Sequence, residues 1–235
     1  MKKIVLLLTT ALLPATILAA DSAQKKVIDA AKQMGEKSNY SWATSMKEGD
    51  GSPGKLGAIE GKGDNTGVTF LSFTVGGLPV EVCMKGGKGS AKALEGWQSF
   101  DDIAQTRGTA AAVVKFLRSY KAPAVESGDL AAKAKELKEE DGIWSGELAP
   151  DAAKELLLAA ARRREGSDEP KATDPKGSVK FWVKDGVLTK YQVKIQGKVT
   201  AGDRDTDIDR TTTVEIKEVG TTKIDIASDA LQKMS

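Results

Sequence analysis

The chain has 235 residues, with 35 Lys and Arg against 33 Asp and Glu, 40% hydrophobic residues, no histidine and a single cysteine. So even a balance argues against a nucleic-acid partner, because that affinity rests on an excess of cations that neutralise phosphates; it argues equally against electrostatic adhesion to an anionic bilayer. Without His, and with one Cys, the common nucleophile–base pairs and the familiar zinc ligand sets are missing, so neither an enzyme nor a bound metal or cofactor is expected.

The first element is a leader. MKKIVLLLTTALLPATILAA, residues 1–20, carries two lysines, an apolar stretch broken by Thr and Pro14, and small residues at Ala19 and Ala20, the pattern of a secretory signal peptide. It is too short and too interrupted for a membrane span, which needs ~20 apolar residues. Cleavage is expected near Ala20-Asp21, although Leu18 is bulky for the upstream recognition position. No cysteine follows the apolar run, so there is no lipobox and no stable membrane anchor is expected. The alternative is a leader retained as an amphiphilic anchor. Residues 21–235 are expected to form a single domain, large enough for a sizeable core, in the periplasm or secreted. Loss of Lys2 and Lys3 would bring its cations level with its carboxylates.

Ser22 can cap a helix in which Val27, Ala30, Ala31 and Met34 recur at helical spacing, ending at Gly35. A strand follows, with Tyr40, Trp42 and Met46 on one side. Residues 48–57 (EGDGSPGKLG) read as a loop. Strands are expected at 59–62, 68–75 and 78–85, the last two joined by a tight turn at Gly76-Gly77. Another short strand is expected at 91–97. Ser99 opens a helical turn with Phe100 and Ile103. The spacing then predicts a helix from Thr109 to Tyr120 with Val113, Phe116, Leu117 and Tyr120 as its apolar stripe, closed by Pro123.

Residues 130–140 are ambiguous: composition favours helix, while Asp141-Gly142 reads as a hairpin turn into a strand at 143–148. Pro150 suits the first position of a helix lined by Ala153, Leu156, Leu157 and Ala160, with Arg162, Arg163 and Arg164 in its last turn and Gly166 ending it. Residues 166–177 read as a polar loop. The clearest signal follows in VKFWVKDGVLTKYQVKIQGKVT, where two alternating runs flank Asp185-Gly186. Val187, Tyr191, Val193, Ile195 and Val199 fall on one face, and Lys190, Gln192, Lys194, Gln196 and Lys198 on the other. Further strands are expected at 208–219 and 223–226. Nine to eleven strands in a meander with helices interposed make the chain α+β.

Several features invite a functional reading and have a plainer one. The three arginines could bind phosphate, but cations suit the negative end of a helix dipole. Asp203, Asp205, Asp207 and Asp209 could chelate calcium, yet the spaced Gly and distal Glu of a helix–loop–helix calcium site are missing; alternating Asp on the wet face of a strand is the simpler account. Gly86-Gly87-Lys88-Gly89 lacks the spacing of a phosphate loop and reads as a turn. Cys83 shares a face with Glu81 and Lys85, either as a reactive thiol or, more simply, as a small side chain covered by neighbours.

A two-sided sheet leaves one question: what covers its apolar face. The order of elements, with SGELAPDAAKELL in the middle and the hairpin FWVKDGVLTKYQVKI near the end, resembles the LolA-like and LppX-like superfamily of periplasmic lipoprotein and lipid carriers. The resemblance implies a strongly curved antiparallel β half-barrel with helices on its concave face, and a lipid or lipoprotein acyl chain between the two. Ligand-lining candidates are Trp42, Phe116, Leu117, Tyr120, Phe181 and Tyr191. The expected function is a soluble carrier or sensor of a hydrophobic ligand. The alternative is an envelope structural or protein-interaction module with an envelope protein partner, whose core is filled and holds no ligand.

Overall fold

The computed structural model describes residues 16–50, 58–93, 96–106, 108–161 and 169–234. The leader up to residue 15, the loop from 51 to 57, the three arginines and Gly166 lie outside the described residues. In chain order the elements are α1 (Thr16–Gly35), β1 (Asn39–Glu48), β2 (Ile59–Asp64), β3 (Thr69–Val75), β4 (Leu78–Lys85), β5 (Lys88–Ala93), β6 (Gly96–Ser99), α2 (Phe100–Ala104), α3 (Thr109–Arg118) and α4 (Pro123–Lys133). Then follow β7 (Lys138–Glu140), β8 (Ile143–Glu147), α5 (Pro150–Ala160), β9 (Lys171–Lys184), β10 (Val187–Ala201), β11 (Arg204–Lys217) and α6 (Ser228–Lys233).

All eleven strands form one sheet in the order β6-β5-β4-β3-β2-β1-β11-β10-β9-β8-β7. Two antiparallel meanders, β1–β6 and β7–β11, are joined where β1 pairs with β11, Trp42 opposite Ile216. The sheet is curved and not closed, an α+β half-barrel. Its two edges, β6 and β7, are consecutive in the chain, so the connection between them must travel the width of the sheet. That connection is α2, α3 and α4, and it runs over the apolar face. Residues from this face and from the helices form one core that includes Val27, Met34, Leu71, Val82, Leu117, Leu157, Phe181 and Val199. Alternation explains the side chosen: β3 buries Thr69, Leu71 and Phe73, and leaves Phe70 and Ser72 on the other face.

Where local chemistry is strong, the expected elements appear. Asp185 and Gly186 have φ of 51° and 76°, the paired positive values of a two-residue hairpin turn. Ser99 caps α2 by accepting from the Asp102 N–H at 3.0 Å. Gly86-Gly87 is a hairpin turn between β4 and β5, as read.

Several expectations change. Pro123 opens α4 at its first turn instead of merely closing α3, since a helix start needs no N–H from that residue. The ambiguous stretch divides, its first part in α4 and its last in β7. The single strand at 91–97 is two, β5 and β6, folded back with Ala93 opposite Gly96. Residues 171–177 are strand and not loop: β9 follows β10 past a bulge where the pairing jumps from Gln196–Lys176 to Lys198–Thr173. No strand forms at 223–226; that stretch joins no ladder and leads into α6. A second bulge, between Leu188 and Lys190, inserts a residue in β10. It shifts the alternation, so that Leu188 is fully buried where Val187 was expected.

Candidate functional site

The concave face offers a floor of strand residues and a roof of helices. On the floor, Tyr191 lies opposite Phe181 in the β9–β10 ladder, and both are buried. Tyr40 and Trp42 follow each other on the same face of β1, ring centroids 5.4 Å apart. The Trp42 indole reaches sideways over Gly61 of β2, where a Cβ would lie 2.0 Å from the ring. Gly61 is therefore the notch that lets a large aromatic lie flat on the sheet.

The roof meets this floor through apolar packing and a few polar contacts, among them one between Tyr40 and the Ala124 backbone of α4. Val114 and Leu117 of α3 are buried. Just past α3, the Tyr120 hydroxyl accepts a hydrogen bond from Trp42 Nε1 at 3.0 Å. One helix later, Glu126 in the first turn of α4 accepts a hydrogen bond from the Tyr191 hydroxyl. Burial raises the Glu126 carboxyl above its ordinary range, against the opposing effects of the Tyr191 hydrogen bond and the Lys121 charge. Burial also raises the Tyr191 phenol well above its usual value, helped by the Glu126 charge. Tyr120 and Tyr40 move the same way, again chiefly through burial. These hydroxyls stay protonated in any ordinary buffer and act as hydrogen-bonding groups only.

Of the six candidate residues, the structure joins Trp42 to Tyr120 directly and sets Phe181 beside Tyr191. Leu117 is buried in the same core. Phe116 is not: 48% of it is exposed, and it meets the others only through an edge contact with Tyr120 at 6.2 Å. The apolar stripe of α3 is wide enough that sequence spacing alone put Phe116 inside. Val114, read as off the stripe, is buried in its place. Glu126 is the residue that sequence reasoning missed. With Pro123 read as a helix stop, the face carrying Ser127, Leu130 and Ala131 went unrecognised, although all three are buried at helical spacing.

Two of the features with a plainer reading, the Asp run and Cys83, can be placed in the structure. Asp205 accepts from Thr200 at 2.7 Å, and Asp209 from Gln196 at 2.9 Å, on the outer face of the sheet. Among the described residues no group of carboxylates or Cys could hold a metal. Cys83 is fully buried, and burial pushes its thiol up to about 11, so it is not a ready nucleophile. Among the described residues, no helix is long and apolar enough to cross a membrane.

The sequence matches no protein-family model and no curated protein. Among solved structures, the chain is similar to the lipoprotein LppX of Mycobacterium tuberculosis, at 10% identity and a TM-score of 0.47, over 88% of this chain and 99% of that one. It is similar to LprF of Mycobacterium bovis at 11% identity and a TM-score of 0.48, over 90% and 99% of the two chains. A LolA superfamily protein of Nitrosomonas europaea follows at 9% identity and 0.34, over 88% and 95%. LppX, LprF and LolA-superfamily structures are thus among those this chain is similar to, the resemblance that its order of elements implies.

Proposed function

We propose that the protein is an exported carrier or sensor of a hydrophobic ligand, a lipid or an acyl chain, held between the concave sheet and the α3–α4 roof. One observation carries this reading: the roof joins an apolar floor through a few polar contacts, Trp42–Tyr120, Glu126–Tyr191 and Tyr40 with the Ala124 backbone. An apolar enclosure with a few convergent polar groups is the usual composition of a small-molecule site. In this reading Trp42, Leu117, Tyr120, Phe181 and Tyr191 form the wall and Phe116 stands at the exposed lip. No chemical step is proposed. Export rests on the leader at residues 1–20 and puts the working compartment in the periplasm or outside the cell.

Organic extraction of freshly purified protein followed by mass spectrometry tests the reading, together with titration of an uncharged environment-sensitive probe. A stoichiometric lipid, or saturable probe binding that Leu117→Ala alters, is the expected result. Absence of both would leave the second reading, a filled half-barrel that serves as an envelope interaction module. That reading has its own support: Trp42, Leu117, Phe181 and Tyr191 are each at most 2% exposed, covered by the protein's own side chains. Recovery in a salt-washed membrane fraction would count against export and release.

A further inference from the structure

The outer face of the sheet changes character along its width. Over β9–β11 it is charged and wet, with Lys190 paired to Glu215 at 3.2 Å and Lys194 to Asp209 at 3.5 Å. Over β4 and β5 it also carries charge, with Lys92 paired to Glu81 at 3.4 Å, but between these charges and Lys85 two small side chains are buried: Cys83 and Ser90 face each other in the ladder, and neither is exposed. What covers them is the C-terminal segment. A turn at 218–222, with Glu218 and Gly220 at positive φ, swings the chain off β11. From there it crosses the outer face against the direction of strand order.

Hydrogen bonds to successive strands mark the crossing. The Gly220 N–H donates to Asn39 O on β1 at 2.7 Å, Lys62 Nζ on β2 donates to Lys223 O at 3.1 Å, and Ser90 Oγ on β5 donates to Ala230 O at 2.8 Å. From β1 to β5 is four strand spacings, roughly 19 Å, and ten extended residues span at most roughly 35 Å, so the path is comfortably bridged. The hold is light. Between 223 and 234 only Ala230 is buried, Leu231 is half-exposed, and Thr222 at the start is the other inward residue. A segment with few buried apolar contacts belongs to the low-stability end of a fold. Its position is strategic nonetheless. The β1–β6 half ends at a free edge, and the strap ties three of its strands, β1, β2 and β5, together from outside.

We propose that residues 218–234 are a detachable strap, whose docking stiffens the β1–β6 half of the open sheet and whose release lets that half flex away from the helices on its inner face. The single cysteine reports the state of the strap, since it lies beneath. The test compares the full chain with a chain ending at Ile226, which lacks α6, and with full-length Ala230→Glu, which puts a carboxylate against β5. Each is assayed for reaction with a thiol reagent, far-UV circular dichroism, cooperative melting and amide exchange by mass spectrometry. The expected result is a folded variant in which Cys83 reacts at least about tenfold faster than in the full chain, with faster exchange in β2–β5 and unchanged exchange in β9 and β10. Unchanged thiol reactivity in both variants overturns the proposal. So does a reactive thiol without faster exchange, which would make the segment a cover and no brace. Loss of folding in both would make it part of the core and equally defeat a detachable strap.

Discussion

Gly61 and Trp42 are one design seen from two residues. The indole can lie on the sheet only because its neighbour has no side chain, and in that pose its N–H finds Tyr120. Gly61→Ala should therefore force the ring out of place and lower stability by roughly 1–3 kcal/mol, the range for overpacked cores. Denaturant unfolding monitored by tryptophan fluorescence checks this; an unchanged midpoint would mean that Trp42 has room to move. Glu126 offers a test in pH. Its folded pKa is raised, so the folded state holds a proton that the unfolded state has released. The stabilising contribution is full below the ordinary carboxylate range and is lost as pH climbs through the raised value. Glu126→Gln keeps an acceptor for Tyr191 and removes the titration. Its melting temperature should fall less than that of the parent between acid and neutral pH. Parallel curves for the two proteins would show that Glu126 is solvated.

At the scale of elements, α3 separates two neighbours in sequence. Leu117 is 1% exposed and Phe116 48%. Leu117→Ala should cost about 2–5 kcal/mol, the range for a buried leucine, whereas Phe116→Ala should cost well under that despite removing a larger side chain. Thermal or chemical unfolding of the pair decides the point, and a larger loss for Phe116 would mean that α3 is rotated from its described position. The β9–β10 hairpin makes a simpler demand. Gly186 sits at a φ of 76°, so Gly186→Val should cost on the order of 1 kcal/mol or more through a β-branched residue in left-handed backbone. A melting temperature equal to that of the parent would contradict the turn.

Across the whole molecule, α1 is the keystone of the covered face. Val27, Ala31 and Met34 are buried at 1% exposure or less, and Gln24 reaches the Ala134 carbonyl beyond α4. Ala23, just after the expected cleavage point, is already buried. A chain starting at Asp21 should fold and melt cooperatively, while one starting at Glu36 should lose cooperative melting through the removal of a core helix. Circular dichroism during heating distinguishes them; a cooperative transition in the shorter chain would make α1 dispensable.

Local chemistry sufficed for much of this. The paired positive-φ turns at Asp185-Gly186 and Gly76-Gly77 and the Ser99 cap are set by a few adjacent residues, and each is legible without a partner. The α+β class and the two-sided sheet follow from the same periodicities. What adjacent residues cannot encode is how distant elements meet. The bulge near Leu188 that reverses which side chain is buried, the placement of Phe116 outside and Val114 inside, and the pairing of Glu126 with Tyr191 all depend on register and helix rotation. The last strand expected from Lys223 to Ile226 has the right pattern and no ladder to join, because β11 already pairs with β1 and β10 on its two sides. A strand needs a free edge as well as a sequence, and edges exist only in the assembled sheet.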